Sequence, residues 1–140
     1  MISRIVSGGQ TGADRAGLAA AIYAKVPHGG WCPKGRKAED GRIPDEFDLR
    51  ETSTADYLAR TEANVVDSDA TLIFTFGPLG GGSLRTAEFA RKHGRPYLHV
   101  NLKITSRAMA VTEIVAWLTN AGSADYEDYQ VAVPNPCVLN

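Results

Sequence analysis

Ser7-Gly8-Gly9-Gln10-Thr11-Gly12-Ala13-Asp14-Arg15 concentrates residue types that can hold an oxyanion. Glycines at 8, 9 and 12 let the backbone approach a ligand closely and permit positive φ. Gln10 and Thr11 add neutral side-chain hydrogen bonds. Asp14 could cap N–H groups or accept a ligand hydroxyl, and Arg15 could pair with a phosphate. The stretch follows an apolar run, Ile2 to Val6, that reads as a buried strand. It precedes Ala16 to Ala24, which reads as a helix. Such a turn exposes amides at the positive end of a helix dipole, where phosphate binds well. A second turn, Gly77-Pro78-Leu79-Gly80-Gly81-Gly82-Ser83, follows the apolar run Thr71 to Phe76 and opens another helix. Two such turns in one small domain predict one shared cleft for a small anionic ligand. Neither turn carries the Gly-Lys-Ser/Thr of a P-loop, and neither matches the Gly-x-Gly-x-x-Gly of a dinucleotide fold. A nicotinamide cofactor is not expected.

Further candidates lie outside the turns. Tyr57, Arg60 and Asn64 share one helix face by their spacing, which makes either a solvated polar face or a wall of the cleft. Arg60 or Arg36 would supply the counter-charge to a phosphate. Glu88 is read as a surface carboxylate or as a hydroxyl acceptor or general acid/base at the cleft mouth, and Arg85 is open in the same way. Trp31 is placed to stack on a planar ring or to anchor its loop. His28, His93 and His99 show no metal-ligand pattern, and no metal site is expected. Cys32 reads as a buried or loop-packing thiol rather than a nucleophile. Asp125 to Tyr129 reads as a solvated acidic connector.

The elements that must position these residues alternate. Strands are expected at Ile2 to Ser7, Thr71 to Phe76, Pro96 to Val100 and Tyr129 to Val133, as apolar runs suited to burial on both faces. Helices are expected at Ala16 to Ala24 and from Ala55, capped by Thr54, to about Asp67. Two more are expected around Thr86 to His93, ended by Gly94, and around Val111 to Leu118, ending before Gly122. The alternation predicts an α/β fold with a mostly parallel sheet and helices on both sides. His28 to Thr54 breaks the pattern: after a short strand near His28 to Trp31, it reads as a long ordered loop, anchored by Trp31, Ile43, Phe47 and Leu49.

The chain has 140 residues, 44% hydrophobic and 22% charged, which suits one domain over residues 1–140. A formal net charge of −1 gives no bulk attraction to nucleic acid or to an anionic membrane. No apolar stretch approaches the roughly 20 residues of a membrane span. The first strand begins almost at once, so no signal peptide is expected, and two cysteines make no disulfide framework. A cytoplasmic protein is the expectation.

Three stretches carry a family resemblance: Ser7 to Arg15, Gly30-Trp31-Cys32-Pro33-Lys34-Gly35-Arg36-Lys37-Ala38-Glu39-Asp40-Gly41-Arg42-Ile43-Pro44, and Arg60 to Thr71. Together they resemble the putative molybdenum carrier family, within the superfamily of the lysine decarboxylase-like, cytokinin-activating phosphoribohydrolases. The resemblance implies a Rossmann-like three-layer α/β/α sandwich and a cleft for a phosphate-bearing ligand. In the carrier family that ligand is the molybdenum cofactor, a pterin (molybdopterin) with a terminal phosphate. It also implies a homodimer or homotetramer. The amides of Gly8 to Gly12 and of Gly80, Gly81, Gly82 and Ser83 would then cradle the phosphate.

The phosphoribohydrolase branch implies a different activity, cleavage of a nucleoside 5′-monophosphate. Arg60 ahead of Ser68-Asp69-Ala70 matches that branch. Its Pro-Gly-Gly-x-Gly-Thr-x-x-Glu motif is matched poorly by Gly80-Gly81-Gly82-Ser83-Leu84-Arg85-Thr86-Ala87-Glu88. A two-residue displacement rotates a helical side chain by about 200°, which would turn Glu88 away from the sugar. A nucleotide-sensing regulatory module is the third reading.

Overall fold

A computed structural model describes residues 2–119 and 137–140. The chain runs β1 (Ile2–Val6), α1 (Ala13–Tyr23), β2 (His28–Gly29), β3 (Trp31–Cys32), β4 (Lys37–Ala38), β5 (Gly41–Arg42), β6 (Arg50–Glu51), α2 (Tyr57–Val66), β7 (Thr71–Thr75), α3 (Gly81–Lys92), β8 (Tyr97–Asn101), α4 (Arg107–Thr119) and β9 (Cys137–Leu139). The expected strand at Tyr129 to Val133, the acidic connector and the stop at Gly122 lie outside the described residues.

The strands pair in parallel in the order β2-β1-β9 and β7-β8. A parallel bridge between Ala70 and Leu139 joins the two ladders. Leu72 donates to the Asn140 carbonyl at 2.8 Å and Asn140 donates to Ala70 at 2.9 Å. The Asp69 carboxylate accepts the Val138 N–H at 2.8 Å. Part of the Ser68-Asp69-Ala70 motif therefore stitches the last strand between β1 and β7. A register shift between Ile2 and Arg4 inserts Ser3 as an extra residue, and its Oγ donates to the Cys137 carbonyl.

Parallel strands need crossovers, and right-handed crossovers set which face each helix covers. From β1 to β2 and from β8 to β9 the chain moves one way across the sheet. From β2 to β7 and from β7 to β8 it moves the other way. Helices α1 and α4 thus cover one face and α2 and α3 the other, where α2 packs beside α3. This is a Rossmann-type α/β/α arrangement.

One core joins Leu98, Val100, Leu139 and Cys137 to Ala110 and Trp117 of α4. A second joins Leu18 of α1 to Cys32, Ala38, Ile43, Phe47 and Leu49. The long segment after β3 is therefore ordered by apolar anchors, three of them among those expected. It holds a two-residue hairpin, β4-β5, and the short parallel β3-β6 ladder. The cap of α2 is Asp56, not Thr54. Asp56 Oδ1 accepts from Leu58 N–H at 2.9 Å, while Thr54 accepts two residues earlier, from Asp56 N–H.

Candidate functional site

Leaving β1 and β7, the chain turns to opposite sides, so their carboxyl ends flank a topological switch point, the usual place for a ligand crevice in such sheets. Both glycine turns stand there. Gly8 and Gly9 are buried, and Gly9 and Gly12 have φ of +75° and +84°. Among the described residues, the backbone N–H groups of Gly8, Gly9, Thr11 and Gly12 have no hydrogen-bond acceptor.

Arg60 closes this turn from α2. Its guanidinium lies across Gly8, where a Cβ would come 2.8 Å from Cζ and nearer still to Nη1. The Asp14 carboxylate, in the first turn of α1, accepts from Arg60 Nη1 at 3.1 Å and from Gln10 N–H at 3.2 Å. The Arg60 side chain is 15% exposed, and its Nε is buried without a partner. Gln10 Oε1 is buried and unpartnered as well. Buried polar atoms are normally satisfied, so two orphans beside unpaired amides mark a place suited to a ligand.

The second turn is built differently. Gly77 (φ +128°) donates to Asn101 Oδ1 at 2.9 Å. Ser83 Oγ accepts the Gly80 N–H at 3.2 Å. Gly81 and Gly82 head α3, where first-turn N–H groups have no intrahelical partner. Ser83 is thus committed to the helix cap, and the backbone supplies the donors.

The β4-β5 hairpin leans on the first turn. Gln10 Nε2 donates to the Lys37 carbonyl at 2.8 Å, and Thr11 Oγ1 donates to Glu39 at 3.2 Å. Arg15 grips Asp40 with two hydrogen bonds, at 2.5 and 2.7 Å, and its Nε donates to the Gly9 carbonyl. That pair holds the Asp40 carboxyl below the usual carboxylate range. Arg15 is therefore a latch for the hairpin, not a counter-charge facing the cleft. The sequence shows Glu39 and Asp40 only as loop charges; their contact with the turn comes from the fold.

Three further candidates are placed as follows. Arg36 is buried at φ +52°, with its guanidinium directed at the carbonyls of Ile43, Pro44, Phe47 and Leu49. It clamps the long segment and does not reach the cleft. The Trp31 indole donates to Asp67 at 2.7 Å, and its backbone N–H and carbonyl both bond Asn64. Trp31 and Asn64 thus dock β3 onto α2, the anchoring alternative for Trp31. Glu88 is exposed and pairs at 2.9 Å with Arg85, one turn earlier along α3.

Burial pushes the Cys32 thiol up, and burial together with Asp69 pushes Cys137 up to about 11, so neither is an activated nucleophile. Among the described residues, no cluster of three or more His, Cys, Asp or Glu could hold a metal ion, and no helix is long and apolar enough to cross a membrane.

Comparison with known proteins agrees with the fold. The model of the circularly permutated YpsA SLOG family matches residues 5–132. A crystal structure titled as a "putative molybdenum carrier protein" from Syntrophus aciditrophicus SB is 46% identical, with a TM-score of 0.85, over 99% of this chain and 80% of that one. No curated protein gives a significant match.

Proposed function

The chain belongs to the circularly permutated YpsA SLOG family, and from that premise we propose that it binds and carries a phosphate-bearing nucleotide- or pterin-type ligand at the switch-point cleft. The observation that carries the reading is Arg60: laid over Gly8, tied by one nitrogen to Asp14, with Nε buried and unpartnered beside the unpaired amides of the first turn. Asp14 keeps the guanidinium in place, and the unused Arg60 donors and the Gly8, Gly9, Thr11 and Gly12 amides converge on one phosphate. The amides of Gly81 and Gly82, at the positive end of α3, form the facing wall. Family members bind nucleotide-related ligands, and the Syntrophus protein is named as a molybdenum carrier, so molybdopterin is the first ligand to test.

A molybdenum cofactor would be held here through its phosphate and pterin, since both cysteines are buried with raised thiols. The chain is read as a carrier rather than a phosphoribohydrolase because Glu88 is exposed and already paired with Arg85. Self-association, as a homodimer or homotetramer, is supported by the apolar residues that α4 and α1 turn outward, Met109, Val111, Val115 and Tyr23. The cytoplasm remains the proposed location.

Native mass spectrometry of protein purified from its own host, with denaturing analysis of what is released, tests the reading. A co-purifying phosphorylated pterin or nucleotide, absent from Arg60→Ala protein, is expected. Retention of the same molecule by the variant would refute it.

A further inference from the structure

We infer a second oxyanion site, distinct from the switch-point cleft, between Arg4, Trp31 and Arg50. These residues line a small open cleft, of about 40 Å³, together with Val6, Gly30 and Asp67. None of the lining residues belongs to either glycine turn, and Arg60 is not among them.

The site is built from the sheet outward. The extra residue at Ser3 lets Ile2 pack with the α4 core while Arg4, paired with Val138, shares the α2 face with Val6. Arg4 lies flat across Gly29, where a Cβ would stand 3.1 Å from Cζ and closer to Nη2. Position 29 must lack a side chain for Arg4 to lie there. From the other side, the Arg50 guanidinium stands 5.9 Å from the centre of the Trp31 ring. Among the described residues neither Arg4 nor Arg50 has a carboxylate partner. Two guanidinium groups without counter-ions thus face one cleft.

Asp67 is the one carboxylate in the lining, and its Oδ2 is held by the Trp31 indole N–H. The lining therefore carries two positive charges against one negative. The carbonyl end of α2 would oppose an anion nearby, but Arg95 donates to the Val66 carbonyl at 3.1 Å and offsets it. Planar guanidinium forks match carboxylate and phosphate oxygens. The ligand class is a small molecule presenting one carboxylate or one phosphate. The remaining Asp67 oxygen can accept a hydrogen bond from a donor beside that group.

The two tryptophans make the test direct, because Trp117 is buried in the α4 core and Trp31 lies in the site. Full-length, nitrogen-15-labelled protein is titrated at constant ionic strength with inorganic phosphate and, separately, with acetate. The Trp31 indole N–H signal should shift saturably with at least one of them. Phosphate alone would indicate a phosphate ester as the natural ligand; acetate, alone or with phosphate, would indicate a carboxylate. Arg4→Ala and Arg50→Ala, both at exposed positions, should each weaken the response about tenfold, and Arg60→Ala should leave it unchanged. No saturable shift with either anion, a response untouched by Arg4→Ala and Arg50→Ala, or one abolished by Arg60→Ala would overturn the proposal.

Discussion

Replacing Gly8 with alanine separates binding from stability. Gly8 lies outside the positive-φ region, so alanine suits its backbone. The new Cβ would collide only with the end of the Arg60 side chain. That end is flexible, and Arg60 can swing outward. The cost is the Arg60–Asp14 pair, with side chains 15% and 30% exposed, set against the smaller entropy of an unfolded chain bearing alanine. Stability should change by no more than about 1 kcal/mol. Binding should suffer more, because a displaced Arg60 removes a charge-assisted hydrogen bond of about 1.5–3 kcal/mol. The dissociation constant should rise about 10- to 150-fold.

Gly9→Ala is the contrast. Gly9 has φ +75°, and its Cβ would lie 2.6 Å from Leu49 Cδ1 and 3.1 Å from Ile43 Cγ2. Both neighbours are core atoms, so about 2–4 kcal/mol of stability should be lost. Urea unfolding measures stability, and calorimetric titration with molybdopterin and with AMP measures binding. Gly8→Ala protein that binds within twofold of wild type would refute the placement of Arg60 at the ligand.

Other outcomes follow from the same structure. Arg36→Ala should lower stability by about 3 kcal/mol in urea unfolding, since it strands carbonyls in the buried loop. Asn64→Ala, which removes both bonds to the Trp31 backbone, should cost about 2 kcal/mol and raise amide exchange at Trp31. The Cys137 thiol, near 11 when folded and 9.0 as a free group, keeps its proton in the native state longer than in the unfolded state. Its contribution is therefore whole below pH 9 and falls as pH rises toward about 11, which urea midpoints across that range will show. Both cysteines should resist a disulfide reagent in native protein at about pH 8 and react after denaturation.

Much of this fold is legible in the residue order, because apolar runs and helical periodicity report burial locally. The starts of β1 and β7, the two glycine turns and all four helices fall where the pattern puts them, within a few residues. β9 is not legible: Cys137-Val138-Leu139 is too short for any period, and its place is set by Asp69, which is remote in sequence. The arginines divide for the same reason. Arg15, Arg36 and Arg60 all look like counter-charges in the sequence. Which of them reaches the cleft depends on what the folded chain puts beside each: Asp40, four carbonyls, or a glycine and an orphaned Nε.

The central claim is that the first glycine turn and Arg60 hold one phosphate together. The most direct measurement is a phosphate titration of the labelled protein that follows the amides of Gly8, Gly9 and Gly12 and the Arg60 Nε–H. These signals should move together with one dissociation constant, and the Gly81 and Gly82 amides should move with them. Glycine amides that stay fixed, or an Arg60 signal that titrates independently of them, would contradict the account.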